Sequence, residues 1–142
     1  MTKLSVVENT TTNIKGFVGY DSGSNIIVVS WRGTESNINW IENADLKLTD
    51  FIGPYKCVNC KIHDGFLKAY ESVSTKAHEK ISQLVAQYPT AKISMTGHSL
   101  GGALALITSI LLVIQISSST ESITQRSRRF MSTDVLESEM PI

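Results

Sequence analysis

Only two cysteines occur in the chain, and they stand together as Cys57 and Cys60 in one C-x-x-C. A zinc site takes four ligands. No second cysteine pair exists and His63 is the one imidazole nearby, so no metal is expected, and no motif implies a cofactor. A redox C-x-x-C opens a helix in a thioredoxin-like unit, whereas this pair follows the loop breaker Gly53-Pro54. It reads either as a local disulfide of an exported protein or as two free thiols in a reducing compartment. Net charge is lacking too: 13 basic residues balance 13 acidic ones. With no basic run and no phosphate-cradling loop, nothing points to nucleic acid or an anionic surface as partner. The stretch from Met1 to Tyr20 lacks the apolar core of a signal peptide. The longest apolar block, Gly101 to Ile116, is interrupted by Thr108, Ser109 and Gln115 and is too short for a membrane span.

What is present is the composition of one globular domain, 142 residues with 42% hydrophobic and 18% charged. Its organising stretch is Thr96-Gly97-His98-Ser99-Leu100-Gly101-Gly102. This G-x-S-x-G pattern is that of a nucleophile elbow, in which a strand ends, the backbone turns sharply and a helix begins. Gly97 and Gly101 flank Ser99 because a side chain at either place would crowd the turn. The strained turn lifts the Ser99 hydroxyl clear of the sheet, and the helix points its N-terminal N–H groups to where oxyanion charge develops. So short a pattern also arises by chance, so context is the test. Ala91-Lys92-Ile93-Ser94-Met95 alternates like a strand, and Leu100, Ala103, Leu104, Leu106, Ile107, Ile110 and Leu111 make an apolar helix. Strand, turn and helix fall in the order the chemistry requires.

Around this unit the chain divides into a frayed, polar segment 1–13, a domain 14–116 and a tail 117–142. Ile14 to Tyr20 reads as a strand, Asp21-Ser22-Gly23-Ser24 as a turn and Asn25 to Trp31 as a strand buried on both faces. The two strands are expected to form a hairpin inside a larger sheet, and Arg32-Gly33-Thr34 ends the second. Between Glu35 and Asn43, Ile38 and Ile41 share a helical face with Trp40 beside them, as in a short amphipathic helix. Asp45 to Leu48 alternates like a brief strand, and Thr49 to Lys61 is loop. Phe66, Tyr70, Val73, Ala77, Ile81, Leu84, Val85 and Tyr88 keep 3–4 spacing along a helix that Pro89 stops, leaving His78 as a solvated residue on its polar side. Helix, strand, elbow and helix form an α/β unit. The tail is rich in serine, holds Phe130 as its one aromatic, follows neither period and reads as disordered.

With Arg32-Gly33-Thr34, Trp40, the H-x-G-F of His63, Gly65 and Phe66, and Gly97-His98-Ser99-Leu100-Gly101-Gly102 in this order, the chain resembles the class 3 (fungal-type) lipases from about Gly16 to about Leu112. The resemblance implies a partial α/β-hydrolase-like fold, with flanking helices on a central, mostly parallel sheet around the strand–elbow–helix unit. It implies a serine esterase that hydrolyses carboxylic esters, typically triacylglycerols, through an acyl-enzyme at a lipid–water interface. Carried over by residue, Ser99 is the nucleophile. Thr34 is the oxyanion residue, with a backbone N–H and a hydroxyl, and Leu100 supplies the second oxyanion N–H; each such donor is worth about 10²–10³ in rate. The segment with Asn37, Ile38, Trp40 and Ile41 resembles the family's lid, an apolar face that covers the site in water and turns toward lipid. His98 is not the base, and His63 is structural. The implied partner is a lipid or ester substrate, with no nucleic acid and no transmembrane segment. A secreted or lumenal location fits the family and the Cys57/Cys60 pair.

One part of the pattern is missing. This fold orders its triad as Ser, Asp, His along the chain. None of His63, His78 and His98 follows Ser99, and Glu121, Asp134, Glu137 and Glu139 match no family position. Without the base the Ser99 proton has no acceptor and the hydroxyl stays a weak nucleophile. The resemblance also implies a further N-terminal region before the first strand, so the chain is expected to be truncated at both ends. The alternatives to ester hydrolysis are a catalytically incomplete fragment lacking the triad Asp and His, or a non-catalytic lipid- or protein-binding remnant.

The tail offers an explanation. The family carries a G-x-P-R-V/I-G-N motif beyond the elbow helix. Joining the last base of each codon from Phe130 to Met140 with the first two of the next is compatible with Tyr-Val-Asn-Gly-Arg-Pro-Arg-Ile-Gly-Asn-Ala. Its restricted positions agree with the family or fall at its variable position. A reading-frame slip or misread intron is therefore expected between about Leu111 and Ser117. Transcript sequencing from the Ala103 codon through Ile142 and onward should restore Gly-x-Pro-Arg, with an Asp and then a His downstream. Confirmation of the printed frame to a stop after Ile142 would overturn this.

Overall fold

The computed structural model of the chain describes residues 3–33, 47–51, 59–118 and 130–135. In chain order the elements are β1 (Lys3–Asn9), β2 (Ile14–Asp21), β3 (Ile26–Trp31), β4 (Leu48–Asp50), β5 (Lys61–His63), α1 (Asp64–Gln87), β6 (Lys92–Gly97), α2 (Leu100–Ser118) and β7 (Phe130–Val135). Five strands form one sheet in the order β1-β2-β3-β6-β7, and β4 pairs with β5 in a separate ribbon. β1/β2 and β2/β3 are antiparallel, whereas β3/β6 and β6/β7 are parallel.

Register decides which side chains share a face. Val18 stands opposite Val29, which stands opposite Met95, and Tyr20 opposite Ile27, which stands opposite Ile93. All six are buried. Both helices lie on this face. At the end of α1, Tyr88 stacks on Tyr20 with ring centroids 3.6 Å apart. From α2, Ser109 Oγ meets Met95 Sδ at 3.0 Å. The strand residues between them in sequence point to the other face, where Leu4 and Val6 are exposed.

Each helix has a local reason to begin. His63 caps α1: its backbone is extended and its Nδ1 accepts from the Gly65 N–H at 3.1 Å. Asp64 follows in the first turn, where a carboxylate suits the helix dipole. Its hydrogen bond to Lys68, one turn on at 2.7 Å, holds the Asp64 carboxyl below its ordinary pKa. Tyr70, Val73, Ala77, Ile81 and Leu84 form the buried stripe of α1, as their spacing predicts. The helix ends before Pro89, which disfavours helical backbone in the residue before it.

The structure corrects the sequence reading at several points. The segment expected to be frayed contains β1, a full partner of β2 whose Val7 is buried in the core. The sheet is consequently mixed rather than mostly parallel, with two antiparallel and two parallel pairings among the described residues. The tail expected to be disordered supplies β7, because Phe130–Val135 can add to the parallel edge that β6 would otherwise leave open. His78, expected to be solvated, is half-buried and hydrogen-bonded through Nε2 to the Tyr70 hydroxyl. Burial pushes that hydroxyl well above the ordinary phenol range.

Val7 is 1% exposed and Val6 is 55% exposed. Val7→Asp places an unpaired charge in the core and should lower unfolding free energy by about 3 kcal/mol or more. Val6→Asp should stay within about 0.5 kcal/mol of the parent. Urea denaturation of both variants checks this, and equal effects would mean that β1 is not docked.

Candidate active site

β6 runs into the turn at Gly97, and α2 begins at Leu100. Between them Ser99 takes a φ of 55°, in the left-handed region that costs a residue bearing a Cβ about 1–2 kcal/mol. The turn is closed by backbone bonds. Gly101 N–H donates to the His98 carbonyl at 2.9 Å, and Gly102 and Ala103 N–H donate to the Ser99 carbonyl at 2.9 and 3.2 Å. Ser99 thus stands at the N-terminal end of α2 with its carbonyl drawn into the helix and its side chain exposed. An exposed hydroxyl there lies where backbone dipoles favour developing negative charge.

Glycines let the surrounding backbones close on this turn. A Cβ on Gly97 would overlap the Gly101 carbonyl and come within 2.8 Å of Gly102 N. A Cβ on Gly101 would overlap the Trp31 carbonyl oxygen and lie 3.1 Å from the Arg32 carbonyl carbon. A Cβ on Gly33 would stand 2.8 Å from the His98 carbonyl oxygen. The end of β3 is therefore pressed against both the turn and the first turn of α2.

A buried polar chain fixes the same junction. Trp31 Nε1 donates to Thr108 Oγ1 at 3.1 Å, and Thr108 Oγ1 donates to the Leu104 carbonyl at 2.6 Å. Ser109 Oγ donates to the Ala105 carbonyl at 2.8 Å. Both hydroxyls are buried and satisfied, so they tie α2 to β3 and β6 without leaving an unpaired group in the core.

The structure brings Ser99, Leu100 and the arm ending at Gly33 together. Leu100 is the first residue of α2, its side chain buried. His98 is exposed in the turn, and His63 serves as the α1 cap. Thr34, the lid residues Asn37, Ile38, Trp40 and Ile41, and Cys57 lie outside the described residues. Cys60 is disulfide-bonded. Among the described residues no cluster of three or more His, Cys, Asp or Glu could hold a metal, and no helix is long and apolar enough to cross a membrane.

Sequence reasoning missed two anchors of the junction. One is the Trp31–Thr108 bond; the other joins the Arg32 guanidinium to Asn13, at 3.2 Å to its carbonyl and 2.8 Å to Oδ1. A tryptophan ending a β-branched strand and a hydroxyl inside an apolar helix were the available signals. Nothing local links Arg32 to Asn13.

Chemically, the arrangement offers an exposed serine held at a helix N-terminus beside a second backbone segment. The family profile described as Lipase (class 3) matches residues 28–132. A secreted mono- and diacylglycerol lipase of Fusarium solani is 37% identical over 108 residues, covering 75% of this chain and 31% of that protein. A lipase of Rhizomucor miehei is 40% identical over 87 residues, covering 61% of this chain and 23% of that one. The crystal structure of a triacylglycerol lipase from Penicillium expansum superposes with a TM-score of 0.72 at 27% identity, covering 80% of this chain and 45% of that one. The chain spans at most about a third of the length of these two curated relatives.

The glycine contacts and the Ser99 backbone make opposite demands on substitution. Gly97→Ala should cost about 3 kcal/mol or more, because backbone rather than a flexible side chain blocks its Cβ. Ser99→Gly relieves the left-handed strain and should leave stability unchanged or raise it by up to about 1 kcal/mol. Urea unfolding curves check both, and a well-tolerated Gly97→Ala would contradict the packing of the turn.

Proposed function

The chain belongs to the class 3 lipase family, and from that premise we propose that its Ser99 hydrolyses carboxylic esters of the acylglycerol class through an acyl-enzyme. As the Ser99 Oγ bonds to the ester carbonyl carbon, its proton passes to the histidine base that this fold places after the serine, which hands it on to the departing alcohol, and the carbonyl oxygen takes up negative charge. The Leu100 N–H and the Thr34 N–H and hydroxyl stabilise that charge. Collapse of the adduct releases the alcohol, and water then releases the acid and restores Ser99. The segment with Asn37, Ile38, Trp40 and Ile41 acts as a lid that meets the lipid surface.

The observation that carries this reading is the exposed Ser99 at φ 55° on the N-terminus of α2, with Gly33 seated on the adjoining His98 carbonyl. The residue before Thr34 thus lies against the turn that carries Ser99, which supports the oxyanion role proposed for Thr34. Acylglycerols are supported as the substrate class by relatives described as mono- and diacylglycerol and triacylglycerol lipases.

A serine-directed fluorophosphonate tests this reading. Ester hydrolysis predicts stoichiometric labelling at Ser99, located by peptide mass spectrometry and abolished in Ser99→Ala. A chain that is folded by circular dichroism yet takes no label would overturn it.

A further inference from the structure

The β1–β2 turn is built more firmly than a surface hairpin requires. Asn9 Oδ1 accepts from the Thr11 and Thr12 N–H groups at 3.0 and 3.2 Å. Asn9 Nδ2 donates to the Ser72 carbonyl on α1 at 3.1 Å, and the Thr12 and Ser72 hydroxyls bond at 2.9 Å. The turn is thereby fixed to the first half of α1. It ends at Asn13, whose φ of 55° is one that asparagine tolerates better than most residues.

From this anchored turn Asn13 reaches across to β3. Its carbonyl and Oδ1 both accept from Arg32 Nη2, at 3.2 and 2.8 Å. The Arg32 N–H meanwhile donates to the Lys15 carbonyl at 2.9 Å, one ladder bond beyond the end of β3. Arg32 is therefore held through backbone and side chain at once. Its next residue is Gly33, which lies against the His98 carbonyl of the nucleophile turn. A continuous set of contacts runs from α1 through the hairpin turn and Arg32 to the residue before Ser99.

We propose that Asn13 is a positioning residue for the acyl-transfer centre: it clamps Arg32 and so seats Gly33 against the His98 carbonyl beside Ser99. The proposal rests on the ester-hydrolase reading of Ser99. Asn13 touches no reacting atom. It sets where the chain leaves β3 and hence how Gly33 lies against the turn that carries Ser99. Misplacing a backbone segment beside the reacting serine by about 1 Å loses rate.

The test uses two variants of the full chain. Asn13→Gly keeps the left-handed turn and removes Oδ1, whereas Asn13→Asp keeps an acceptor there and gives Arg32 a charged partner. Two readouts are taken: amide hydrogen exchange over Trp31–Gly33, with Ile27–Ser30 as internal control, and the rate of fluorophosphonate labelling at Ser99. In Asn13→Gly, exchange should quicken at Trp31–Gly33 alone and labelling should slow about tenfold with the melting temperature unchanged. Asn13→Asp should restore both.

Exchange at Trp31–Gly33 that matches the parent in Asn13→Gly would overturn the clamp, whatever the labelling shows. Faster exchange with an unchanged labelling rate would overturn the positioning role and leave a structural bond. A parent chain that takes no label removes the catalytic reading and the positioning role with it, and exchange then still reports whether Asn13 holds Arg32.

Discussion

Two backbone contacts at glycine hold the centre of this molecule: Gly97 on the Gly101 carbonyl, and Gly101 on the Trp31 carbonyl. Main chains approach this closely only where no Cβ intervenes. Everything that gives Ser99 its setting follows from that closeness. The helix begins at once after the strand, its first N–H groups turn back onto the His98 and Ser99 carbonyls, and the serine is left in a backbone conformation it would not choose. Parallel pairing of β3 with β6 sets Trp31 level with Gly97, so the arm leaving β3 and the turn leaving β6 emerge side by side.

The strain needs a rigid surround, and the core supplies it asymmetrically. Both helices pack on one face of the sheet, where Ile27, Val29, Ile93 and Met95 are almost fully buried. The Trp31 indole lies over Gly16, where a Cβ would come within 2.5 Å of its Cε3, and still reaches Thr108 with its N–H. One aromatic ring thus joins β2, β3 and α2 directly behind the turn. On the opposite face Leu4 and Val6 are exposed.

The elements legible in the sequence were those whose cause is local. Glycines two residues to either side of a serine announce the elbow, a 3–4 apolar stripe announces α1, and a β-branched run announces β3. β1 was missed because Lys3, Ser5, Glu8 and Asn9 dilute its pattern; only pairing with β2 buries Val7. The mixed character of the sheet was missed for the same reason. β7 carries no period strong enough to announce it, and its place comes from the edge of β6. His78 looked solvated because its partner Tyr70 lies two turns away on the same helix. Within the site, the tight turn at Ser99 and the helix that begins at Leu100 were readable from the motif. The Arg32–Asn13 bond was not, since it joins a strand end to a hairpin turn through hydrogen bonds that no periodicity encodes.

Parallel pairing of Trp31 with Gly97 has a kinetic side. β2 and β3 form a local hairpin, and α1 can form from its own cap and stripe, but β3 and β6 meet only after a long stretch of chain has been closed into a loop. The Ser99 turn draws its contacts from both sides of that closure. Its strained geometry is therefore a late product of folding: until the loop shuts, Ser99 has nothing to hold it in the left-handed conformation and relaxes to an ordinary one. Any chain that stops short of that step carries the same serine without its geometry.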